Sequence, residues 1–209
     1  MTTAADPPTG RRLTARGART RANIVSAAAD LMYVQGVEAT TIDDVLTASG
    51  ASKSQLYHHF DSKDALVRAV VEQVGERVIE REREALGKVS TLRGLRRWRD
   101  ALVRSNALRH GAYGCALGSL ASEVADHDAL ARQSLSRLFA EWQDLLAGAL
   151  SRLQDGGALP PEASTDGLAT GLMAAVQGGY LLAQTAQDVA PMATSIDMAL
   201  AHIESLTAG

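Results

Sequence analysis

Between Ser52 and Lys63 the chain reads S-K-S-Q-L-Y-H-H-F-D-S-K, and most of its side chains can donate a hydrogen bond. Leu56 and Phe60 are the apolar exceptions, four residues apart. On a helix that spacing sets both on one side. With that side turned inward, Lys53, Ser54, Gln55, Tyr57, His58 and His59 are left outside. Such ammonium, hydroxyl, amide and imidazole groups reach phosphate oxygens and base edges, and Lys53 falls at the helix N-terminus, the end that enters a major groove. The chemistry expected here is contact with duplex nucleic acid. A plain solvated helix hairpin would carry similar residues, so the neighbouring segments decide between the two.

Groups for bond-making chemistry are absent as motifs. No Gly-rich phosphate loop, nucleophile elbow, H-E-x-x-H pattern or paired-carboxylate arrangement occurs, so no enzyme is expected. His58, His59, His110, His127 and His202 are too scattered for a metal site, and neither metal nor cofactor is expected. Cys115, the single cysteine, excludes an internal disulfide. It lies between Gly114 and Gly118, where the start of a helix would favour a thiolate. A small buried hydrophobe is the alternative role for such a residue.

The elements that must position the polar helix announce themselves by their caps. Thr41 with Asp44 has the form of a capping box, and Ser52 with Gln55 repeats it. Asp61 can cap a third helix beginning near Ser62. Gly50, between Ser49 and Ala51, can take the left-handed conformation that ends one helix and releases the next. Ile42, Val45 and Leu46 give the first of these helices its apolar side. Two short helices joined by a glycine turn form a helix-turn-helix pattern.

At Gly36, Thr41-Ile42, Gly50, Ser52, Leu56-Tyr57, His59-Phe60, Lys63 and Leu66 the chain resembles the TetR family of one-component transcriptional regulators, closely over about residues 19 to 70. The resemblance implies a DNA-binding head, a homodimer and an effector-binding body. Lys53, Gln55, Tyr57 and His58 become candidates for base edges or thymine methyls. Thr41, His59 and Lys63 become phosphate candidates, with Arg19, Arg21 and Ser52 completing the DNA-binding set.

Composition agrees with an all-α chain: 46% of the 209 residues are apolar but only 4% aromatic, and Ala and Leu are the commonest residues. The net charge of −3 is unevenly spread. Residues 1 to 110 hold 18 Lys/Arg against 13 Asp/Glu, and residues 111 to 209 hold 3 against 11. Partner-binding positive charge therefore sits at the amino end. Residues 1 to 18, rich in Pro, Gly, Thr and Arg, read as a disordered basic arm whose Arg11, Arg12 and Arg16 suit phosphates or a minor groove. Arg19 and Arg21 then open the first helix. Residues 19–65 are expected to form the DNA-binding domain, and 66–209 the ligand-binding and dimerisation domain.

The body reads as further amphipathic helices. One carries Leu66, Val70, Val74 and Val78 and turns charged through Glu80 to Glu84. Another spans Thr91 to about Arg109, a short one Ser119 to Ala125, and a long one runs from Asp128 to Leu153. Residues 167 to 186 carry no charge, but Thr170, Gln177, Gln184, Thr185 and four glycines argue against a membrane span. Gly167, Gly171, Ala174/Ala175 and Gly178 form a small-residue stripe that invites close approach of another helix. After Pro191 a last helix offers Ile196, Leu200 and Ile203, and together these suit a two-fold four-helix interface. Met1 to Gly10 lacks a signal-peptide core, so a cytoplasmic location is expected.

Gly114-Cys115, Gly118-Ser119-Leu120, the Trp142 helix and Gln177-Gly178-Gly179 resemble the LmrA/YxaF-type subgroup of the same family. The effector pocket that the resemblance implies would draw on Trp98, Tyr113, Cys115, Phe139, Trp142, Met173, Gln177 and Tyr180. An apolar cavity with a few polar anchors suits a flat hydrophobic or aromatic ligand. The reading is an all-helical homodimeric repressor of a palindromic operator, with double-stranded DNA and a small molecule as partners. A cysteine-based electrophile sensor, or a helical ligand-binding module without specific DNA readout, is the alternative.

Overall fold

The computed structural model describes residues 14–108 and 110–206, so Arg11 and Arg12 of the basic arm lie outside the described residues. Among those residues there are nine α-helices and no strand. They are α1 (Ala15–Gln35), α2 (Ile42–Ser49), α3 (Lys53–His59), α4 (Lys63–Leu86), α5 (Leu92–Ala107), α6 (Ala116–Val124), α7 (Ala129–Asp155), α8 (Thr165–Ala186) and α9 (Ala190–Ser205). Most begin on a hydroxyl or carboxylate that accepts from the first turn, which fixes where each starts.

Capping also explains where the observed boundaries differ from the expected ones. Thr14 accepts from the Gly17 N–H at 3.2 Å, so α1 starts at Ala15 and takes in Arg16, ahead of Arg19 and Arg21. Ser62, not Asp61, caps α4 by accepting from Ala65. The short helix α6 starts at Ala116 with extended Cys115 as its N-cap, three residues before Ser119. Pro191 lies inside the first turn of α9, where its missing N–H leaves nothing unsatisfied.

The helix α1, with α2 and α3 against it, forms the head, and α4 runs from the head into the body, packing on α1 and then on α7. In the body α7 packs on α8 and α8 on α9. The stripe expected on α7 is the body's centre: Leu135, Leu138, Trp142, Leu146, Leu150 and Leu153 are all buried. Leu66, Val70 and Val78 of α4 are buried as well, and Val74 packs half-buried beside them. The four-residue interval then continues one step further, to Glu82. Its carboxylate is 2% exposed, paired with Arg81 at 2.8 Å and accepting from the Trp98 indole N–H at 2.9 Å.

The small-residue stripe of α8 does not carry the contact with α9 inside the subunit. A methyl at Gly179 would sit 3.0 Å from the Met192 Cα, whereas Gly171 and Gly178 face open space. Ile196, Leu200 and Ile203 of α9, expected at a subunit interface, are instead buried within the chain because they line the inner side of α9 against α8. Ala175 also leans toward that contact: its carbonyl accepts from the Ser195 hydroxyl at 2.8 Å. No described helix is long and apolar enough to cross a membrane.

The axes of α4 and α7 approach closely at Gly75. A Cβ there would stand 2.3 Å from Cδ1 of Leu138, itself buried. By helix propensity alone Gly75→Ala would stabilise the protein by about 1 kcal/mol. Overpacking of about 1–3 kcal/mol outweighs that gain. Gly75→Ala is therefore expected to lower the midpoint of chemical denaturation, and a raised midpoint would refute this account of the crossing.

Candidate nucleic-acid interface and effector cleft

Both expected capping boxes are formed. At the start of α2, Thr41 Oγ1 accepts from the Asp44 N–H at 3.1 Å while Asp44 Oδ2 accepts from the Thr41 N–H at 2.9 Å. At the start of α3, Ser52 Oγ accepts from Gln55 N at 3.2 Å and Gln55 Oε1 accepts from Ser52 N at 2.8 Å. Between them Gly50 adopts φ +67°, ending α2 by an N–H bond to the Leu46 carbonyl. A side chain is strained there, and this is the turn that ends α2 and releases α3.

Leu56 is wholly buried and Phe60 is 3% exposed, so α3 is pinned to α1 along the predicted side. Ser52, Lys53, Ser54, Gln55, Tyr57 and His58 are exposed, and His59 is half-buried. The outer face is polar throughout. Arg21 of α1 stacks its guanidinium 5.2 Å from the centre of the Phe60 ring, which brings a second cation to the same end of the molecule. Burial, together with the neighbouring His58 and Arg21, holds the His59 imidazole below the ordinary histidine value of 6.5.

The hydrogen bonds change what several candidates can offer. The Thr41 hydroxyl donates to Asp44 Oδ2 at 2.7 Å, so its proton is already used. These two bonds hold the Asp44 carboxyl below its usual range. In Gln55 the carbonyl oxygen belongs to the cap, leaving only the amide N–H groups for a base edge. Lys63 donates to the Glu38 carbonyl at 3.1 Å, tying the loop between α1 and α2 to the start of α4. Ser52, by contrast, accepts in its cap and keeps its hydroxyl proton, and Lys53 and Tyr57 project freely beside it. Arg19 is exposed on the first turns of α1.

A second feature lies where head meets body. A cleft of about 250 Å³ is walled by Ala29, Asp30 and Tyr33 of α1, by Val74, Arg77, Val78 and Arg81 of α4, and by Ser105 and Asn106 of α5. Cys115 and Tyr180 close it. Tyr33 donates its hydroxyl to the Gly114 carbonyl at 3.4 Å and lies 5.4 Å, ring to ring, from Tyr113. Behind the cleft, Glu123 of α6 accepts from the Val37 N–H at 2.6 Å, just past the end of α1. The head is thus fastened to α6 as well as to α4.

Of the expected effector residues the cleft gathers Cys115 and Tyr180, with Tyr113 beside them. Trp98 is buried and committed to Glu82, and Trp142 and Met173 are core residues of α7 and α8. Phe139 is half-buried on α7, outside the cleft's walls. Gln177 donates to the Met173 sulfur at 3.7 Å. Burial pushes both the Cys115 thiol and the Tyr180 phenol up, and for Cys115 this outweighs donation from the Leu117 and Gly118 N–H groups. The thiol is buried and protonated, which is the opposite of a poised thiolate.

Asp30, Tyr33, Arg77, Arg81 and Asn106 join the cleft without having been expected there. For Asn106 a signal exists: Leu95, Trp98, Leu102 and Asn106 form one helical stripe, and a polar residue on it is a buried polar residue. The meeting of α1 with the end of α5 has no local signature.

Comparison with known proteins agrees with this architecture. The family model of bacterial regulatory proteins of the tetR family matches residues 24–70. The model of the LmrA/YxaF-like transcriptional regulator C-terminal domain matches residues 91–198. An uncharacterised HTH-type transcriptional regulator in the lacX 3' region of Lactococcus lactis is 28% identical over 192 residues, covering 90% of this chain and 94% of that protein. The HTH-type transcriptional repressor DhaR of Mycobacterium sp. strain GP1 is 24% identical, with 77% and 80% covered. In fold, the chain is similar to the regulatory protein TetR from Rhodobacter sphaeroides, with a TM-score of 0.77 and 22% identity over 88% of this chain and 98% of that one. Two successive family matches, one on the helix-turn-helix head and one on the helical body, lead to one conclusion: the chain belongs to the TetR family of transcriptional regulators.

Proposed function

We propose that this regulator is a homodimeric repressor that sets two copies of α3 into successive major-groove turns of a palindromic operator and leaves it when a small molecule fills its body. The observation that carries the reading is the outer face of α3, polar and exposed from Lys53 to His58 above a fully buried Leu56. Lys53, Tyr57 and His58 reach base edges or thymine methyls, joined by the Gln55 amide N–H. Ser52, His59, Lys63, Arg19 and Arg21 serve phosphates. Thr41 joins them only by giving up its bond to Asp44.

A second copy is expected on the open side of α8 and α9. Gly167, Gly171, Ala174 and Gly178 leave a smooth strip there, with Leu181 62%, Leu182 53% and Met198 70% exposed beside it. Large apolar side chains clustered on one face indicate a partner surface. Small residues let two such helix pairs approach closely, in a four-helix arrangement. The two heads would then meet half-sites about 34–36 Å apart. A regulator of this kind acts in the cytoplasm, on the DNA it controls. The name of DhaR as a repressor supports the sign of regulation proposed here.

Footprinting of the full chain on DNA upstream of its own gene tests the reading, with a protected two-fold symmetric segment expected. On that segment Tyr57→Ala or Lys53→Ala should cost about 1–3 kcal/mol and relax preference at one position of each half-site, whereas Lys63→Ala should weaken all sequences alike and lower the salt slope by about 1. Loss of folding in all three variants, seen by circular dichroism, would remove the assignments.

His59 gives a pH dependence whose sign is fixed. In the free protein the imidazole is held below 6.5, so it is neutral at pH 7. A phosphate favours the imidazolium, so the complex binds a proton that the free protein does not. Operator affinity should therefore rise as pH falls from 7 toward the lowered value of the free protein, and His59→Gln should flatten that rise. An unchanged profile in the variant would show that His59 does not meet phosphate.

A further inference from the structure

The cleft between α1, α4 and α5 carries unmatched hydrogen-bonding capacity of two kinds. Asn106 is 6% exposed, and its Oδ1 has no partner among the described residues. A buried acceptor without a donor is destabilising, and a turn of the Asn106 amide toward the cleft would let a ligand donor relieve it. Across the cleft, Arg77 has no carboxylate partner among the described residues, only a long bond of 3.4 Å to the Ser26 hydroxyl. Arg81 spends Nε and Nη2 on Glu82 and keeps Nη1.

Of the acids nearby, Glu82 is not available to a cation. Glu82 is buried, with Oε1 taken by Arg81 and Oε2 by Trp98. Asp30, the one acid among the lining residues, is exposed and is outnumbered there by Arg77 and Arg81. Between the two polar walls lie Val74, Val78, Ala29 and the rings of Tyr33 and Tyr180. An apolar cavity of about 150 Å³ accommodates benzene. The volume here, about 250 Å³, admits one ring with two substituents.

We propose that this cleft binds a monocyclic aromatic carboxylate carrying a hydroxyl or amino donor, with the carboxylate on Arg77 and Arg81 and the donor on Asn106. The inference rests on the effector reading above and gives that effector a chemical class. Arginine pairs with a carboxylate through a planar fork, which a neutral amide or an ammonium cannot match. Such a ligand touches Tyr33 of the head and, through Gly114 and Cys115, the start of α6, whose Glu123 holds Val37. It therefore lies against both fastenings of the head.

Isothermal titration of the full-length protein with 2-hydroxybenzoate, benzoate, benzamide and phenyltrimethylammonium tests this. The two carboxylates are expected to bind, the hydroxylated one severalfold tighter, and the amide and the cation at least tenfold more weakly. Arg77→Gln, at an exposed position, should weaken both carboxylates tenfold or more. Asn106→Leu, which removes the unpaired acceptor, should keep thermal stability and benzoate binding while erasing the hydroxyl's advantage. Equal binding of benzamide or the cation, carboxylate affinity indifferent to Arg77→Gln, or no carboxylate binding would each overturn the proposal. Carboxylates that bind through Arg77 but leave the operator complex intact would uphold the ligand class and sink the effector reading. An operator complex released only by other compounds, through residues outside the cleft, would do the reverse.

Discussion

Burial of Leu56 and Phe60 beneath α1 is the contact on which the rest of the molecule depends. α3 has seven residues, far fewer than the dozen or more an isolated helix needs to persist in water. It exists because those two side chains are taken out of solvent, worth about 1.5–3 kcal/mol each, and because reciprocal caps satisfy its first N–H groups. The same two side chains fix its rotation. Lys53, Ser54, Gln55, Tyr57 and His58 are thereby turned outward, in one orientation, before any partner arrives.

The second constraint is that the head is not free of the body. Lys63 ties the α1–α2 loop to α4, Arg68 of α4 pairs with Asp128 at the start of α7, and Glu123 of α6 holds the backbone after α1. Packed and hydrogen-bonded contacts therefore run from α6 and α4 to the head that carries α3. A ligand that takes a mostly DNA-competent population to the opposite extreme must prefer the other state by about 5.5 kcal/mol. A cleft whose walls come from α1, α4, α5 and the approach to α6 is placed where such a preference could arise.

What is legible in the sequence divides along the range of the interaction. The caps Thr41–Asp44 and Ser52–Gln55, the turn at Gly50 and the inward pair Leu56 and Phe60 are all local, and each forms as its spacing implies. Competition between local roles is harder to see: Gln55 cannot give its carbonyl oxygen both to a cap and to a base. Ile196, Leu200 and Ile203 face inward rather than toward a second subunit, because an apolar stripe does not say which of two neighbours it meets. Glu82 continues the α4 stripe, but a charged letter looks like the end of it. The cleft is invisible in the sequence, since α1 and the end of α5 are brought together only by the tertiary fold.

The central claim is that paired copies of α3 read duplex DNA from one face. Selection of duplexes from a random pool by the purified full-length protein measures this directly, because the pool presupposes no operator. Enrichment of a two-fold symmetric motif, with half-sites centred about 10–10.5 base pairs apart, is the predicted result. A pool that yields no sequence preference, or a single asymmetric element, would contradict it.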